Sequence, residues 1–444
     1  MKINEKYKRL IKLFFSVVLI LMLTMIYHQF WVRYYNKVIL YPFYRRGMWM
    51  MAGIYAGLLI FFMNTYGGFK IGYLRKWNLV YSQILALTFT NVFTYCQISV
   101  LDKKIFESKM ILVMYGVEIA AVFCWTMLFQ LFYSNVFPPR RMVLISGDKS
   151  DYHLLEKINA RDDKYVICEI INYRSEKAQI VRKMREYDAV IVGDIPSHER
   201  NQIIKYGFAH GVRTYSVPKI SDILLRTSDE LNLFDTPLLL SRNMGLTIEQ
   251  QFAKRILDIV GACLGIVITI PIFLIVGICI KITDGGPVFY TQTRLTKDAR
   301  PFKIYKFRTM VQNAEQDGVA RLAAKGDPRI LPIGHLLRAT RLDELPQVFN
   351  ILKGDMSLVG PRPERPELVE EFSRDIPEFP DRMKVKAGLT GYAQVYGKYN
   401  TTPYDKLKFD LMYIRKYSIL LDLKLIIMTP KILLLKESTE GVNK

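Results

Sequence analysis

Cysteine and histidine are scarce in this chain of 444 residues, which holds five of each. The cysteines are isolated, without the C-x-x-C spacing of a zinc site or the regular spacing of a disulfide framework. Four of them lie in apolar runs, where cysteine usually acts as a small hydrophobic residue. The sequence therefore predicts neither a disulfide-stabilised fold nor a metal site built from histidine and cysteine.

Acidic residues are scarce in the N-terminal part of the chain. The first 140 residues contain 16 Lys and Arg against 4 Asp and Glu, residues 141–250 contain 16 of each, and residues 251–444 contain 30 against 21, which gives a formal charge of +21. No zinc-finger, homeodomain or RRM signature accompanies the surplus, so nucleic acid is not a predicted partner. A basic surplus at both ends suits anionic membrane lipids and phosphorylated substrates.

Long apolar runs, by contrast, are abundant. Four of them precede residue 140, and each is near the ~20 residues that cross a bilayer as a helix. They are Leu13–Val32, Met48–Tyr66, Leu79–Leu101 and Met110–Phe137. The first resembles a signal peptide in position, but it is long for one and has no clear small-residue cleavage site, so a retained helix is predicted.

The basic residues around these runs indicate membrane orientation. The N-terminal tail carries Lys2, Lys6, Lys8, Arg9 and Lys12, which favours a cytoplasmic N-terminus. Four spans then return the rest of the chain to the cytoplasm. The first loop, which should lie outside, is also basic and weakens this prediction; its residues are Arg33, Lys37, Arg45 and Arg46.

From residue 140 the pattern changes to short β-rich segments that alternate with helical ones. The segments "RMVLIS", "YVICEIIN", "AVIVGD" and "RTYSVP" predict strands of a small parallel sheet. Only Gly147 is present of the three glycines in a dinucleotide fingerprint, so a degenerate structural or regulatory domain is predicted over 140–226. Residues 227–250 are predicted to be a linker.

A fifth apolar stretch, residues 256–282, contains Pro271 at its centre. A proline inside a helix removes one hydrogen bond and favours a kink. The stretch is either a fifth full span, which would place the remaining residues outside, or a re-entrant helix that is bent at Pro271 and leaves the membrane by the face it entered. Periodicity does not decide between them.

Two adjacent carboxylates, Asp343 and Glu344, stand out in the sequence "RATRLDELPQVFNILKG". The pattern predicts a helix with Thr340 as N-cap, Pro346 in its first turn and Gly354 after its end. In one interpretation the two acids only complement the dipole of this helix.

In the other interpretation the pair belongs to a site for a metal-bound phosphate. Arginines surround it in the sequence, at Arg338, Arg341 and Arg362. Carboxylates and arginines near a helix N-terminus are typical of such a site. Spacing alone leaves both interpretations open.

A series of motifs from Lys254 to Leu435 resembles the bacterial sugar transferase family, the monotopic phosphoglycosyl transferases. In order they are "KRILDIV", "GGPVFYTQTR", "KIYKFRTM", "RLDELPQVFNILKGDMSLVGPRPE", "GLTGYAQVYG", "KLKFDLMYI" and "LDLKLI". The resemblance is to the long form of the family. It implies an α-helical transmembrane region over 1–139, a Rossmann-like α/β domain over 140–226, a linker over 227–250, and a mostly α-helical catalytic domain over 251–444 with a re-entrant helix at 256–282.

The resemblance implies an enzyme that transfers a sugar 1-phosphate from a UDP-sugar to undecaprenyl phosphate and releases UMP. Asp343 would attack the β-phosphorus and carry the phosphosugar as a covalent intermediate, and Glu344 with Asp343 would hold Mg²⁺. The remaining substrate-binding positions are Lys306, Arg338, Pro361, Arg362, Pro363 and Asp410. The sugar, expected to be glucose or galactose, would enter exopolysaccharide, capsule or O-antigen synthesis.

The chain departs from the family pattern at three places. Ile270 replaces the usual Ser or Lys before Pro271, where Thr269 could substitute by bonding to the opened backbone. Ala387 replaces a proline, and Thr296 a glycine. None of these changes touches the acidic pair.

The expected location is the bacterial inner membrane, with several spans and the catalytic domain on the cytoplasmic face. A homodimer is also expected, because the α/β domain, which lies within the charge-balanced residues 141–250, and the N-terminal helices offer surface for one. Two alternatives stay open: a catalytically silent membrane scaffold of the same pathway, and a polytopic transporter with five full spans.

Overall fold

The structure is a computed structural model that describes residues 7–147, 152–233, 235–241, 245–311, 327, 329–397 and 401–433. The chain forms two compact units, Met1–Pro218 and Lys219–Lys444. Five helices among the described residues are long and apolar enough to cross a membrane.

The first unit begins with four of these helices. They are α1 (Lys8–Phe30, continued to Val38 through a π-helical turn at Trp31–Tyr35), α2 (Arg45–Tyr66), α3 (Lys76–Leu101) and α4 (Lys109–Val136). The four predicted apolar runs are therefore confirmed as helices. Some of the polar side chains buried between these helices bond to one another. The Tyr55 hydroxyl and Asn91 Nδ2 each donate to the Glu118 carboxylate over 2.6 Å.

The first unit continues as an α/β region. Its strands and helices are β1 (Arg140–Ser146), α5 (Tyr152–Asn159), β2 (Tyr165–Asn172), α6 (Lys177–Glu186), β3 (Ala189–Val192), α7 (Ser197–Ala209) and β4 (Thr214–Ser216). The four strands lie parallel in the order β2-β1-β3-β4, which confirms the predicted parallel sheet. Alternate residues of β1 and β3 are buried on opposite faces, as in a sheet that helices cover on both sides.

The loop after β1 is where a dinucleotide fingerprint would continue. Gly147 is described, but residues 148–151 lie outside the described residues. That this region is a degenerate structural or regulatory domain therefore stays a prediction.

The predicted linker contains regular structure. The strands β5 (Asp229–Leu233) and β6 (Thr236–Leu240) form an antiparallel hairpin within residues 227–250. The preceding helix α8 (Ile220–Arg226) belongs to the second unit, where Ile220 and Ile223 pack with Phe379 and Leu407. The structure thus divides the chain at 218, earlier than the predicted boundary at 226.

The second unit is built on α9 (Ile248–Asp284), a helix of 37 residues with Pro271 inside it. A Thr247–Gln250 capping box begins the helix, and Gly285 ends it at φ +69°. The Thr269 hydroxyl donates to the Gly265 carbonyl over 2.7 Å. Pro271 frees the carbonyl of Val267, so Thr269 does not take the role expected from the missing serine.

Short elements complete the second unit. They are β7 (Phe289–Leu295), β8 (Pro301–Phe307), α10 (Pro332–Thr340), α11 (Gln347–Lys353), β9 (Met356–Val359), α12 (Pro366–Asp375), β10 (Ala387–Thr390), α13 (Tyr392–Tyr396), α14 (Pro403–Arg415) and α15 (Ile419–Leu433). Strands β7 and β8 pair antiparallel, whereas β9 and β10 pair parallel.

Both halves of α9 pack against these elements. Ala262 is buried with Ile304, Ile351 and Met356, while Val276 and Ile280 are buried with Phe307 and Leu337. At the N-terminal end Lys254 Nζ donates to Asp422 over 2.6 Å, and at the C-terminal end Arg308 pairs with Asp284. The helix therefore lies along the unit rather than leading away from it.

Candidate active site

The acidic pair lies in a single 3₁₀ turn, Leu342–Glu344, between α10 and α11. Arg341 adopts a left-handed conformation with φ +54° and redirects the chain after α10. The prediction that Thr340 caps the next helix is wrong, because Thr340 is the last residue of α10 and its hydroxyl donates back to the Leu336 carbonyl over 2.7 Å. Gly354 ends α11 at φ +90°, as predicted.

Glu344 is buried between two cations. One carboxylate oxygen, Oε1, accepts from Lys306 Nζ over 2.9 Å and from an Arg362 nitrogen over 2.6 Å. The other, Oε2, accepts from Arg362 over 3.4 Å. Burial alone would raise the pKa of Glu344, but the charges of Arg362 and Lys306 outweigh it and hold that pKa well below its usual range. Glu344 is thus a fixed anion.

Asp343 has a different environment. Lys306 Nζ lies 3.9 Å from its Oδ2, beyond hydrogen-bond distance. Burial raises the pKa of Asp343, the Lys306 charge lowers it, and the neighbouring Glu344 charge raises it further, so that the pKa lies above its ordinary value. Asp343 is therefore the less constrained carboxylate of the pair.

These contacts do not fit a role limited to the helix dipole. The pair precedes α11 by at least two residues, and Glu344 is bonded to side-chain cations rather than to the backbone of α11. The structure favours the interpretation in which the pair belongs to a charged site.

Lys306 and Arg362 reach this site from different elements. Lys306 stands on β8, opposite Tyr290 of β7. Arg362 lies in the loop after β9, between Pro361 and Pro363, and keeps 39% of its side chain exposed. Arg362 can therefore contact Glu344 and still face a ligand.

Arg338 bonds to a partner outside the acidic pair. Its Nε donates to the Thr309 hydroxyl over 2.9 Å, one α10 turn away from the 3₁₀ turn. Its charge still acts on Asp343 electrostatically.

Asp410 is linked to the site indirectly, through Arg382 and the loop of Arg362. It is buried on α14 and accepts from Arg382 Nε over 2.9 Å. Arg382 in turn donates to the backbone carbonyl of Arg362 over 3.1 Å. Burial raises the pKa of Asp410 to about 6, although the Arg382 charge opposes this. Asp410 thus acts on the loop of Arg362 through Arg382.

Sequence reasoning missed Arg382. It is 38 residues from Glu344 and belongs to no charged motif, so nothing local marks it. A buried arginine is expected only beside a carboxylate, and its partner Asp410 was predicted.

Comparison with known proteins assigns the chain to a family. The bacterial sugar transferase family matches residues 249–436. A Bacillus subtilis protein, named provisionally as an undecaprenyl-phosphate N-acetylgalactosaminyl 1-phosphate transferase, is 49% identical over 130 residues, which cover 29% of this chain and 72% of the relative.

Longer relatives match over more of the chain. The UDP-N-acetylgalactosamine-undecaprenyl-phosphate N-acetylgalactosaminephosphotransferase of Aeromonas hydrophila is 37% identical over 263 residues, 56% of this chain and 59% of the relative. The UDP-glucose:undecaprenyl-phosphate glucose-1-phosphate transferase of Klebsiella pneumoniae is 40% identical over 219 residues, 47% of this chain and 45% of the relative. The chain thus spans about half the length of these two curated relatives. It belongs to the bacterial sugar transferase family.

Proposed function

We propose that this protein transfers a sugar 1-phosphate from a UDP-sugar to undecaprenyl phosphate and releases UMP, in the first membrane step of exopolysaccharide, capsule or O-antigen synthesis. The names of the relatives support this reaction class. The observation that carries the proposal is the unequal environment of the acidic pair. Two cations fix Glu344 by hydrogen bonds, while Lys306 stays beyond hydrogen-bond distance of Asp343.

Asp343 is the proposed nucleophile. One of its carboxylate oxygens would form a bond to the β-phosphorus of the UDP-sugar while the bond from that phosphorus to the bridging oxygen breaks. UMP would leave with the bonding electron pair. A phosphate oxygen of undecaprenyl phosphate would then attack the same phosphorus and displace the Asp343 carboxylate. The product would be an undecaprenyl diphosphate sugar, and the exchange would follow ping-pong kinetics.

Lys306, Arg362 and Arg338 are the proposed phosphate-binding cations. Lys306 lies within 4 Å of both carboxylates, so it can contact a phosphate that approaches Asp343. Arg362 offers the planar guanidinium that binds phosphate oxygens in pairs. Arg382 and Asp410 would position Arg362 without touching the substrate.

Mg²⁺ fits this site as an ion shared between the two carboxylates, the substrate phosphates and water. Among the described residues no group of three or more carboxylate, histidine or cysteine side chains could form a protein cage for a metal. Two adjacent carboxylates, however, match the usual Mg²⁺ site, in which phosphates and water supply the other ligands. Glu344 and Asp343 would hold the ion, and when bound it would neutralise phosphate charge.

For α9 we propose the re-entrant arrangement, on the cytoplasmic face of the inner membrane. Both halves of the helix pack on the same unit, and the opposite side exposes apolar residues such as Val267, Ile268 and Leu274. A full span would have to carry one of its ends away from that unit to the far side of the bilayer. These contacts fit a helix better when its exposed apolar side is embedded in the bilayer and both of its ends stay at one membrane surface than when it spans the bilayer.

The proposed reaction is tested by UMP release from purified protein with undecaprenyl phosphate, Mg²⁺ and a panel of UDP-sugars. We expect UMP from one donor, which would also identify the sugar. Asp343→Asn should abolish release, whereas Asp355→Asn, the same change at a partly exposed carboxylate paired with Arg300, should leave it intact. No UMP from any donor would support the silent scaffold instead.

A further inference from the structure

The loop of Arg362, residues 360–365, connects β9 to α12 without forming a helix or strand, and the structure describes all of it. Pro361 and Pro363 flank Arg362, and each restricts the backbone and lacks an N–H group. The carbonyl of Pro361 accepts from the backbone N–H of Gly388 over 2.9 Å. The carbonyls that follow belong to no strand ladder, so they need partners from other elements.

Two arginines from different elements bind the next two carbonyls of the loop. Arg382, in the 3₁₀ segment between α12 and β10, donates from Nη2 to the carbonyl of Arg362 over 3.1 Å. Arg294, on β7, donates from Nη1 to the carbonyl of Pro363 over 3.4 Å. The other terminal nitrogen of Arg294 donates to Gln292 Oε1 over 2.7 Å, which holds the guanidinium against its own strand.

Glu364 links these two arginines. Its Oε1 lies 3.5 Å from Arg382 Nη1, and its Oε2 lies 4.0 Å from Arg294 Nη1. The Glu364 carbonyl accepts from the backbone N–H of Leu295 over 3.1 Å. The charges of Arg294 and Arg362 repel each other, and the Glu364 charge attracts both. Glu364 thus offsets the repulsion between cations that would otherwise push the loop away from β7.

We propose that Arg294 and Glu364 are positioning residues for the transfer reaction. Together with Arg382 they fix the backbone of the loop, so that the guanidinium of Arg362 stays beside Glu344 and faces the substrate phosphates. The inference rests on the proposed function, because it concerns how Arg362 binds the UDP-sugar. Arg294 itself bonds to its own strand and to the loop, so its effect reaches the substrate through Arg362.

The test is a double-mutant cycle in the UMP-release assay, with full-length protein, undecaprenyl phosphate, Mg²⁺ and the donor that the wild type uses in the UDP-sugar panel. The variants are Arg294→Gln, Glu364→Gln, Arg362→Gln and the combination of the first with the third. The matched controls are Arg374→Gln and Glu370→Gln, which make the same changes in an exposed ion pair on α12.

We expect Arg294→Gln and Glu364→Gln each to raise the KM for the UDP-sugar roughly tenfold, the order of losing one hydrogen bond to a charged group, with a smaller change in kcat. In the Arg362→Gln background, Arg294→Gln should change the KM by less than about twofold, because the loop then carries no guanidinium to position. The two control variants should keep the wild-type KM.

Arg294→Lys separates positioning from charge. Lysine keeps the positive charge, but its single ammonium group does not reproduce the planar fork that binds both Gln292 and the carbonyl of Pro363. Arg294→Lys should therefore also raise the KM. It carries the test if the melting temperature shows that Arg294→Gln does not fold.

Four outcomes would overturn this inference while leaving the proposed function intact. They are an unchanged KM in Arg294→Gln, the same increase in KM when that change is made in the Arg362→Gln background, a wild-type KM in Arg294→Lys, and an increase that the control variants share. A loss of kcat and of melting temperature without a change in KM would show a purely structural role and would also overturn it. A wild type that releases no UMP from any donor would overturn the proposed function and this inference with it.

Discussion

Two neighbouring carboxylates in this protein have opposite electrostatic environments. Glu344 accepts from Lys306 and Arg362 and is kept ionised, whereas Asp343 is partly buried and has a longer contact to Lys306. Adjacent residues in a tight turn point in different directions, so one can be fixed while the other faces a substrate. A nucleophile must be the carboxylate that faces the substrate, because a carboxylate bonded to two cations is a poor attacking group.

Lys306→Gln should shift the acid limb of the activity profile to higher pH. Asp343 must be ionised to attack, so activity falls as pH falls through its raised pKa, and the Lys306 charge is the main factor that lowers this pKa. Without that charge the limb should lie higher, in addition to a loss of kcat/KM at all pH values. The profile of kcat/KM against pH measures this.

Lys303→Gln serves as the control, since Lys303 lies on the same strand with an exposed side chain. An unmoved acid limb in Lys306→Gln would contradict the assignment of Asp343 as the titrating nucleophile.

Asp410→Asn should destabilise the second unit, and the effect should shrink as pH rises. Asn keeps the shape of the Asp410 side chain, but it can neither bind the proton that the buried carboxyl takes up nor carry the charge that pairs with Arg382. The pKa of Asp410 is raised to about 6 in the folded protein, so its folded form binds a proton more tightly than its unfolded form. The stability it contributes is therefore full below pH ~4 and declines through pH ~6, by about 3 kcal/mol.

The gap in melting temperature between wild type and Asp410→Asn should accordingly narrow from pH 4.5 to pH 7. Asp381→Asn, at a more exposed carboxylate paired with Lys384, should show little pH-dependent gap. A gap that widens with pH would contradict the account of Asp410. Because the variant also loosens the loop of Arg362, the KM for the UDP-sugar should rise more than kcat falls.

At the scale of elements, a helix or strand is predictable from the sequence when its apolar pattern extends over the whole element. Features that depend on a few local contacts are less predictable. The helices α1–α4 follow from apolar runs of about 20 residues, a length typical of a membrane-spanning helix. The parallel strands of the α/β region follow from the continuous apolar segments of the buried β1 and β3.

The hairpin of β5 and β6 and the end of α10 are not predictable in this way. The hairpin strands are exposed on both faces, so neither has the buried apolar face that usually marks a strand. Thr340 has the chemistry of an N-cap, but its hydroxyl bonds to the helix that precedes it. The pairing of such strands and the hydrogen-bond partner of such a hydroxyl depend on neighbouring residues in space, which a short stretch of sequence does not reveal.

The two ends of α9 should be accessible from the same side of the membrane. In a cysteine-free background, Glu249→Cys and Thr283→Cys place labels at exposed positions near the two ends. A membrane-impermeant maleimide should label both in inside-out vesicles and neither in right-side-out vesicles. Labelling from opposite sides would show a full span and would contradict the re-entrant arrangement.

At the scale of the whole molecule, different parts of the chain differ in their charge and in their apolar surface. Basic residues concentrate in the first 140 and last 194 residues, while residues 141–250 are balanced at 16 basic and 16 acidic. The basic parts coincide with the candidate membrane helices and the proposed phosphate-binding site. The balanced part can meet another protein surface without net repulsion.

The protein should accordingly form a homodimer. Because residues 141–250 together carry no net charge, two copies can associate through this part of the chain without the repulsion expected of the basic ends. Native mass spectrometry from nanodiscs should give twice the chain mass of 51.7 kDa. Only monomer over a range of protein concentrations would contradict this prediction.

The central claim is the covalent step at Asp343, and the most direct measurement is the mass of the protein itself. Incubation with the productive UDP-sugar and Mg²⁺, but without undecaprenyl phosphate, should add the mass of one sugar phosphate to a peptide that contains Asp343 and release one equivalent of UMP. Adding undecaprenyl phosphate should remove that mass, and Asp343→Asn should never acquire it. UMP release that requires undecaprenyl phosphate from the start, with no adduct on Asp343, would show direct transfer and contradict the account.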